Sequence, residues 1–434
     1  RDQPRSRGLG DVYKRQVSQN ILGMIGFSCY VLADSYFISI AKGADGLTAL
    51  NLVMPLYSII FSIGEMIGVG SAIRYAISKI KKDADADDYF WNAIIWCIMS
   101  SMIFVFAGIF FSSDIMRVLG ADEHIVAVGN NYTKIFMCFA PMFMCNYVTN
   151  AFVRNDGAPG IAMSATLFSS LFNIVFDYIL MFPMNLGMEG AALATALSPI
   201  IGMGICSIHF FSKKSSVRLV VCKPSVRKLV AGSQLGVSAF VGEMSSAVIT
   251  LAFNFVILKL TGNVGVAAYG VVANIAIVTT AVFNGVAQGS QPLISSCFGR
   301  GDKDGCTQLK RMGYTTAFVL AAVMYSILFI FAEQFVAVFN SEGSEMLRLY
   351  ATEGVKLYFI GIFFAGINIV GGGAFSATED AFKAAVVSVA RGFVLILGAV
   401  FVMSALFGMT GVWLAYAVAE GITTFIMLVM VLRV

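Results

Sequence analysis

Charge is scarce in this 434-residue chain: only 12% of its residues are Asp, Glu, Lys or Arg, where soluble domains carry about 25%. So little polar surface cannot cover a water-soluble globule. With 58% hydrophobic residues and a mean hydropathy of +0.82, composition points to an integral membrane protein with nothing left over for a soluble domain. Histidine is nearly absent, and His124 and His209 lie far apart, so neither a His-based metal site nor a catalytic triad is expected. The eight cysteines (Cys29, Cys97, Cys138, Cys145, Cys206, Cys222, Cys297 and Cys306) show no CxxC spacing and read as small hydrophobes. Neither sign of charge dominates, at 29 Lys+Arg against 25 Asp+Glu. The clustered basic surface of a nucleic-acid binder is missing, and no nucleic-acid partner is expected. Beyond the N-terminal stretch no nucleophile–base pair or metal cluster stands out, so the chain does not read as an enzyme.

Long apolar runs are abundant. Twelve of them can cross the roughly 30 Å hydrocarbon layer of a bilayer: 18–40, 47–77, 91–111, 132–153, 159–182, 189–211, 234–258, 265–297, 313–333, 355–375, 382–404 and 411–432. Backbone facing lipid must satisfy its own hydrogen bonds, and uninterrupted runs of this length are wrong for barrel strands, so the spans are helices. Residues 1–16 are polar, carry five basic residues and end abruptly at Val17. Without the apolar segment of a signal peptide they read as a non-native cloning or assembly scar, and the Gly8-Leu9-Gly10-Asp11 match to an intramembrane protease motif is set aside with them.

Connections alternate in charge. One set of loops and flanks, together with Arg433, holds seventeen basic residues and the other six. The positive-inside rule then puts both termini and the polar segment 212–233 in the cytoplasm. Internal similarity follows at an offset of 219: Gly43, Gly46, Ala49, Val53, Gly70 and Ser71 fall on Gly262, Gly265, Ala268, Val272, Gly289 and Ser290. A second block pairs Gly187, Met188 and Gly190 with Gly408, Met409 and Gly411 at an offset of 221. Six spans per repeat is an even number, so both copies enter the membrane in the same sense and the transport path lies between them. The expected division is an N-lobe at 17–211, a cytoplasmic linker at 212–233 and a C-lobe at 234–434, an all-α membrane fold of two pseudo-symmetric six-helix lobes.

Ionisable side chains within membrane spans are costly and are functional candidates by default. Here they are Asp34, Glu65, Asp177, Glu243, Glu420 and Arg391. Topology places Asp34, Asp177 and Thr195 at one depth, about 8–9 Å below the external surface at 1.5 Å of rise per residue. Asn173 lies one helical turn from Asp177 on the same face. Two carboxylates, an amide and a hydroxyl together make a proton site or, through their hard oxygen ligands, a sodium site at Asp34 and Asp177. Their counterparts in the second half are not acids, so ion chemistry is expected to be asymmetric. Glu243 is the best acid of the C-lobe and a candidate for a cationic substrate or second ion. Arg391 and Glu420, at similar depths in adjacent spans, are expected to form a structural ion pair. Glu65 receives no role.

Several segments together resemble a known family: LADSYFIS and DGLTALNLVMPLYSII around the first loop, FVRNDGAP after span four, NIVFDYIL in span five, GAALATALS in span six and GVAQGSQPLISSCFGRGD closing span eight. The chain from Val17 onward is similar to multidrug and toxic compound extrusion (MATE) transporters. The resemblance implies two six-helix lobes forming a V, and export of amphipathic organic cations driven by proton or sodium entry, with no other cofactor. It implies that Asp34, Asn173, Asp177 and Thr195 match the family's N-lobe acids, amide and hydroxyl, and that Glu243 matches its seventh-helix acid. The tenth helix offers Asn368 where members with a second cation site have Asp. A monomer in the bacterial cytoplasmic membrane is the expected setting. A flippase for a lipid-linked precursor is the rival of the same architecture; it would want a basic cavity, whereas these spans supply acids and one Arg.

Overall fold

The computed structural model describes residues 3–340 and 343–433, which are helical almost throughout and contain no β-strand. The membrane-crossing helices are α1 (Gly8–Lys42), α2 (Leu52–Ile80), α3 (Asp88–Val118), α4 (Glu123–Cys138 and Ala140–Asn155, bent by 46°), α5 (Pro159–Met181) and α6 (Met188–Phe210). Then follow α7 (Val237–Gly262), α8 (Val264–Gly299), α9 (Lys303–Ile330) and α10 (Glu345–Ala377). The last helical stretch, Ala381–Leu432, breaks at Gly408, giving α11 (381–407) and α12 (409–432). The twelve spans match those expected from hydropathy in number and order. Gly262 and Gly408 break their helices with φ of +71° and +64°, backbone that only glycine adopts without strain. These two residues are the turns between α7 and α8 and between α11 and α12.

Two separate apolar cores hold the lobes. One gathers Val53, Ile60, Phe136, Phe143, Phe152 and Ala191 from α2, α4 and α6; the other gathers Phe253, Phe283, Phe359, Val400 and Trp413 from α7, α8, α10, α11 and α12. Stacks such as Tyr57 on Phe136 (centroids 4.1 Å apart) and Tyr358 on Tyr416 (4.4 Å) fill each core with aromatic area. Outward-facing positions are apolar as well: Ile103, Phe110, Phe168 and Leu406 are more than half exposed, as lipid-facing side chains are.

The N-terminal stretch is helical. From Gln3 it continues α1 as helix. Tyr13 and Val17 are buried in the C-lobe core, with Leu9 and Ile21 packed against it, and the Tyr13 hydroxyl donates to Thr316 Oγ1 at 2.9 Å. Leu9, Tyr13, Val17 and Ile21 recur every fourth residue, and that single stripe seats a helix face even in a polar segment.

The inter-lobe linker is strapped to the N-lobe. Asp156 Oδ2 accepts from His209 Nε2 (2.7 Å) and from the Ser216 amide (2.9 Å). Asn92 accepts the Ser225 amide at 2.7 Å, and Lys228 pairs with Asp88 at 2.9 Å and Asp85 at 3.6 Å. Partial burial works against the Lys228 ammonium, but those two carboxylates more than offset it and hold its pKa above the ordinary lysine value. A short helix, Val226–Leu235, then leads into α7.

Candidate functional site

Asp34 on α1, Asn173 and Asp177 on α5, and Thr195 on α6 are all buried, with exposures of 7%, 0%, 0% and 3%. Helix α5 packs on α1, where Gly23 and Gly26 face Met163 and Leu167, and on α6. Asp34 lies eight residues from the end of α1, Asp177 four from the end of α5 and Thr195 seven into α6. At 1.5 Å per residue these are depths of about 6–12 Å, all at the end of the molecule opposite the linker. The Asp34 and Asp177 carboxyls are close enough for Asp177 to feel the charge of Asp34. Tyr30, Tyr57 and Tyr132 stand within electrostatic reach of both acids, and the last two share a hydroxyl–hydroxyl hydrogen bond of 2.8 Å.

The decisive feature is what these side chains do not bond. The Asp34 and Asp177 carboxyls lie within hydrogen-bonding range of each other, a bond that needs a proton on one of them; with both ionised, Asp34 Oδ1, both Asp177 oxygens, both polar atoms of the Asn173 amide and Thr195 Oγ1 are buried without a partner among the described residues. Buried polar groups are nearly always paired, because desolvating one without compensation costs about 1–3 kcal/mol. Five oxygens and one amide nitrogen on four side chains at one depth are a concentration of unmet polar atoms, and a proton, a hard cation or water would satisfy the oxygens.

A second group lines a chamber between the lobes, of about 880 Å³ including the part that opens to solvent. Its walls carry Phe27, Tyr30, Phe61 and Tyr147 from the N-lobe, together with Glu65, Arg154 and Glu243. Glu65 sits midway along α2, not towards its linker end, and interacts directly with Glu243 of α7 across the lobe boundary. Arg154 lies close enough to act on Glu65, while its Nη1 donates to Asn150 Oδ1 at 2.9 Å and to Gln288 of the C-lobe at 3.4 Å. Reading spans one at a time missed Glu65 and Arg154, since Glu65 gains its partner only when the two lobes meet. Its presence as an acid within a span was the available signal.

Glu243 faces Glu65, and Asn368 is engaged with α12. Asn368 is 1% exposed and fully committed elsewhere: Nδ2 donates to Glu420 Oε2 (2.7 Å) and to the Glu420 carbonyl (2.9 Å), and Oδ1 accepts from Thr424 (2.9 Å). The expected Arg391–Glu420 ion pair is present, with Nη2 to Oε1 at 2.9 Å and Nε to Oε1 and Oε2 at 3.1 and 3.2 Å.

Comparison with known proteins agrees with this architecture. The MatE family model matches residues 20–179 and again 239–402. The two matches start 239 − 20 = 219 residues apart, the offset at which the chain repeats. The multidrug export protein MepA of Staphylococcus aureus (strain MRSA252) is 28% identical over 426 residues, covering 95% of this chain and 91% of the relative. MepA of Staphylococcus saprophyticus is 26% identical over 422 residues, with the same shares covered. Among solved structures, an outward-facing multidrug resistance MATE transporter of the MOP superfamily superposes with a TM-score of 0.90 at 20% identity, covering 97% of this chain and 95% of that one. A MOP superfamily transporter from Pyrococcus furiosus Vc1, described as having reverse polarity in its binding pocket, gives 0.89 at 19% identity, covering 96% and 94%. With the family model matched over both lobes and the twelve-span, two-lobe fold in place, the chain belongs to the MatE family of multidrug and toxic compound extrusion transporters, a family of multi-pass membrane proteins.

Proposed function

We propose that the protein is an ion-coupled antiporter that exports amphipathic organic cations, with Asp34, Asn173, Asp177 and Thr195 taking up the coupling proton or sodium ion and the Glu65–Glu243 chamber holding the cargo. The observation that carries the reading is the cluster of buried, unpartnered oxygen and amide atoms at one depth on α1, α5 and α6. An ion entering there satisfies groups that burial otherwise penalises. The chamber supplies what an organic cation needs: two carboxyls that can give up the proton they share when a cation arrives, set against one guanidinium, and aromatic faces for cation–π contact. The same excess of acid argues against the lipid-linked precursor flippase, whose pyrophosphate cargo needs the opposite sign.

The test is transport of ethidium, a planar aromatic cation, into proteoliposomes under an imposed proton or sodium gradient. Uptake that follows one gradient and stops when it is collapsed is the expected result, and the effective gradient names the ion. Uptake indifferent to both gradients refutes the coupled mechanism.

The same reading places the protein in a bacterial cytoplasmic membrane with the linker inside. Lys214 is exposed in that linker, so a cysteine introduced by Lys214→Cys should resist a membrane-impermeant maleimide in intact cells and react once the cells are opened. Labelling from outside reverses the topology.

A further inference from the structure

The linker carries more free positive charge than its surroundings need. Lys213, Lys214, Arg218, Lys223 and Arg227 are exposed, and none forms an ion pair among the described residues. The N-lobe acids nearby are already engaged: Asp85 and Asp88 by Lys228, Asp87 by Lys79, and Asp156 by His209, Tyr75 and the Ser216 amide. Asp83 is left free among the described residues. Amid the basic residues runs Leu219-Val220-Val221, with exposures of 60%, 40% and 77%. The backbone is pinned on both sides of it. Val217 is buried in the N-lobe core, the Arg218 amide donates to Asp87 at 3.4 Å, and the Ser225 amide donates to Asn92. Held in this way the triplet stays outside, where three consecutive aliphatic side chains in water oppose the hydrophobic effect.

Position in the fold says what covers it. The linker leaves α6, whose outward stripe of Ile200 and Ile208 ends at the exposed Phe211. It then passes Asp87 and Asp88 at the start of α3, the helix whose Ile98, Met99, Met102 and Ile103 all face outward. The triplet and the basic residues therefore lie at the ends of two lipid-facing helices, where hydrocarbon gives way to headgroups. We infer that the linker is a lipid-binding strap: Phe211 and Leu219–Val221 enter the apolar edge of the linker-side leaflet, and the five free basic residues hold the phosphates of anionic phospholipids. Apolar burial and attraction to anionic headgroups add in such a segment. A zwitterionic headgroup brings its own ammonium and leaves the five charges uncompensated, so the strap selects anionic lipid. The two arginines also present the planar fork that grips a phosphate through two oxygens. The inference needs neither the ion cluster nor the cargo chamber.

Native tryptophans report on this place, since Trp91 and Trp96 lie in the first turns of α3 and are only half-buried. The full-length protein is reconstituted in phosphatidylcholine vesicles containing phosphatidylglycerol or phosphatidylcholine with brominated chains, and tryptophan quenching gives the relative binding of the two lipids. Phosphatidylglycerol should be preferred by about fivefold or more, which one basic residue near the surface suffices to give, and the preference should fall as salt rises. Replacing all five exposed basic residues by Gln should abolish it. Lys303→Gln/Lys310→Gln/Arg311→Gln, which removes C-lobe charge at the same end, should leave it intact. A preference that survives the fivefold replacement, or that the C-lobe variant removes equally, overturns the strap. So does loss of the preference to millimolar glycerol phosphate, which would make the ligand a soluble phosphate. Insertion is read separately: the added fluorescence of Leu219→Trp should be quenched by brominated chains and shielded from aqueous acrylamide, and free access of acrylamide overturns it.

Discussion

Asp34→Asn is expected to reduce gradient-driven export to the background leak while leaving the protein folded and able to bind ethidium. The isosteric change removes a charge from a cluster whose other acid, Asp177, is within its electrostatic reach, and the cargo chamber is lined by other residues. Export follows the gradient only if the ion binds one conformation more tightly than the other. Coupling free energies of about 1–3 kcal/mol correspond to roughly 5–150-fold, and the loss should fall in that range. Asp177→Asn should act in the same way. Asn173→Ala and Thr195→Ala delete ligands without deleting charge and should give partial loss. Stability should move the other way, because one of two neighbouring buried carboxyls is gone and strained functional sites carry a stability cost: the thermal midpoint of Asp34→Asn should equal or exceed that of wild type. Export by Asp34→Asn at the wild-type rate under the same gradient would make the cluster structural and move attention to Glu65 and Glu243.

How much of this was legible in advance varies with the kind of interaction. Hydropathy placed α5 and α6 within about a residue, since 159–182 and 189–211 became Pro159–Met181 and Met188–Phe210. It cut α4 short at 132 and α10 at 355, because their first turns, Glu123–Asn131 and Glu345–Gly354, are polar on one face and drop out of a hydropathy average. The Arg391–Glu420 pair could be foreseen, since both residues lie at similar depths in sequential antiparallel spans. Glu65 with Glu243 could not, because no within-lobe reading sets the register between lobes. The His209–Asp156 pair was hidden in the same way: both residues sit at helix ends that adjoin only after α4, α5 and α6 have packed. Helix existence is a local property of composition, whereas pairing across spans is a property of the assembled packing.

The linker end of the molecule is where the lobes meet most tightly, and glycine makes the approach possible. A Cβ at Gly70 of α2 would lie 1.8 Å from the Gly232 carbonyl, and one at Gly236 would lie 2.0 Å from the Met66 carbonyl, both far inside contact distance. Around this seam Arg74 donates to the Ala231 carbonyl (3.0 Å) and pairs with Glu379 (3.3 Å). Asn155 and Gln291 exchange side-chain amide hydrogen bonds of 3.3 and 2.9 Å. Glu379 holds its ion pair from a left-handed backbone, φ +60°, that non-glycine residues seldom adopt. These contacts tie α2, α4 and the linker helix to the C-lobe, and an exporter that loads cargo from the linker side must break them. Gly70→Val should therefore wedge the seam. Overpacking of this kind costs typically about 1–3 kcal/mol, enough to change the ratio of seam-closed to seam-open molecules by roughly 5–150-fold. Spin labels on cysteines replacing Asp83 and Asp304, both exposed at this end, should report a longer and broader distance distribution in Gly70→Val than in wild type, with gradient-driven ethidium transport falling in step. Gly204→Val, where an added Cβ meets nothing within 4 Å, should change neither. Identical distances in the Gly70 and Gly204 variants would mean that the seam yields locally and is not the element that moves during transport.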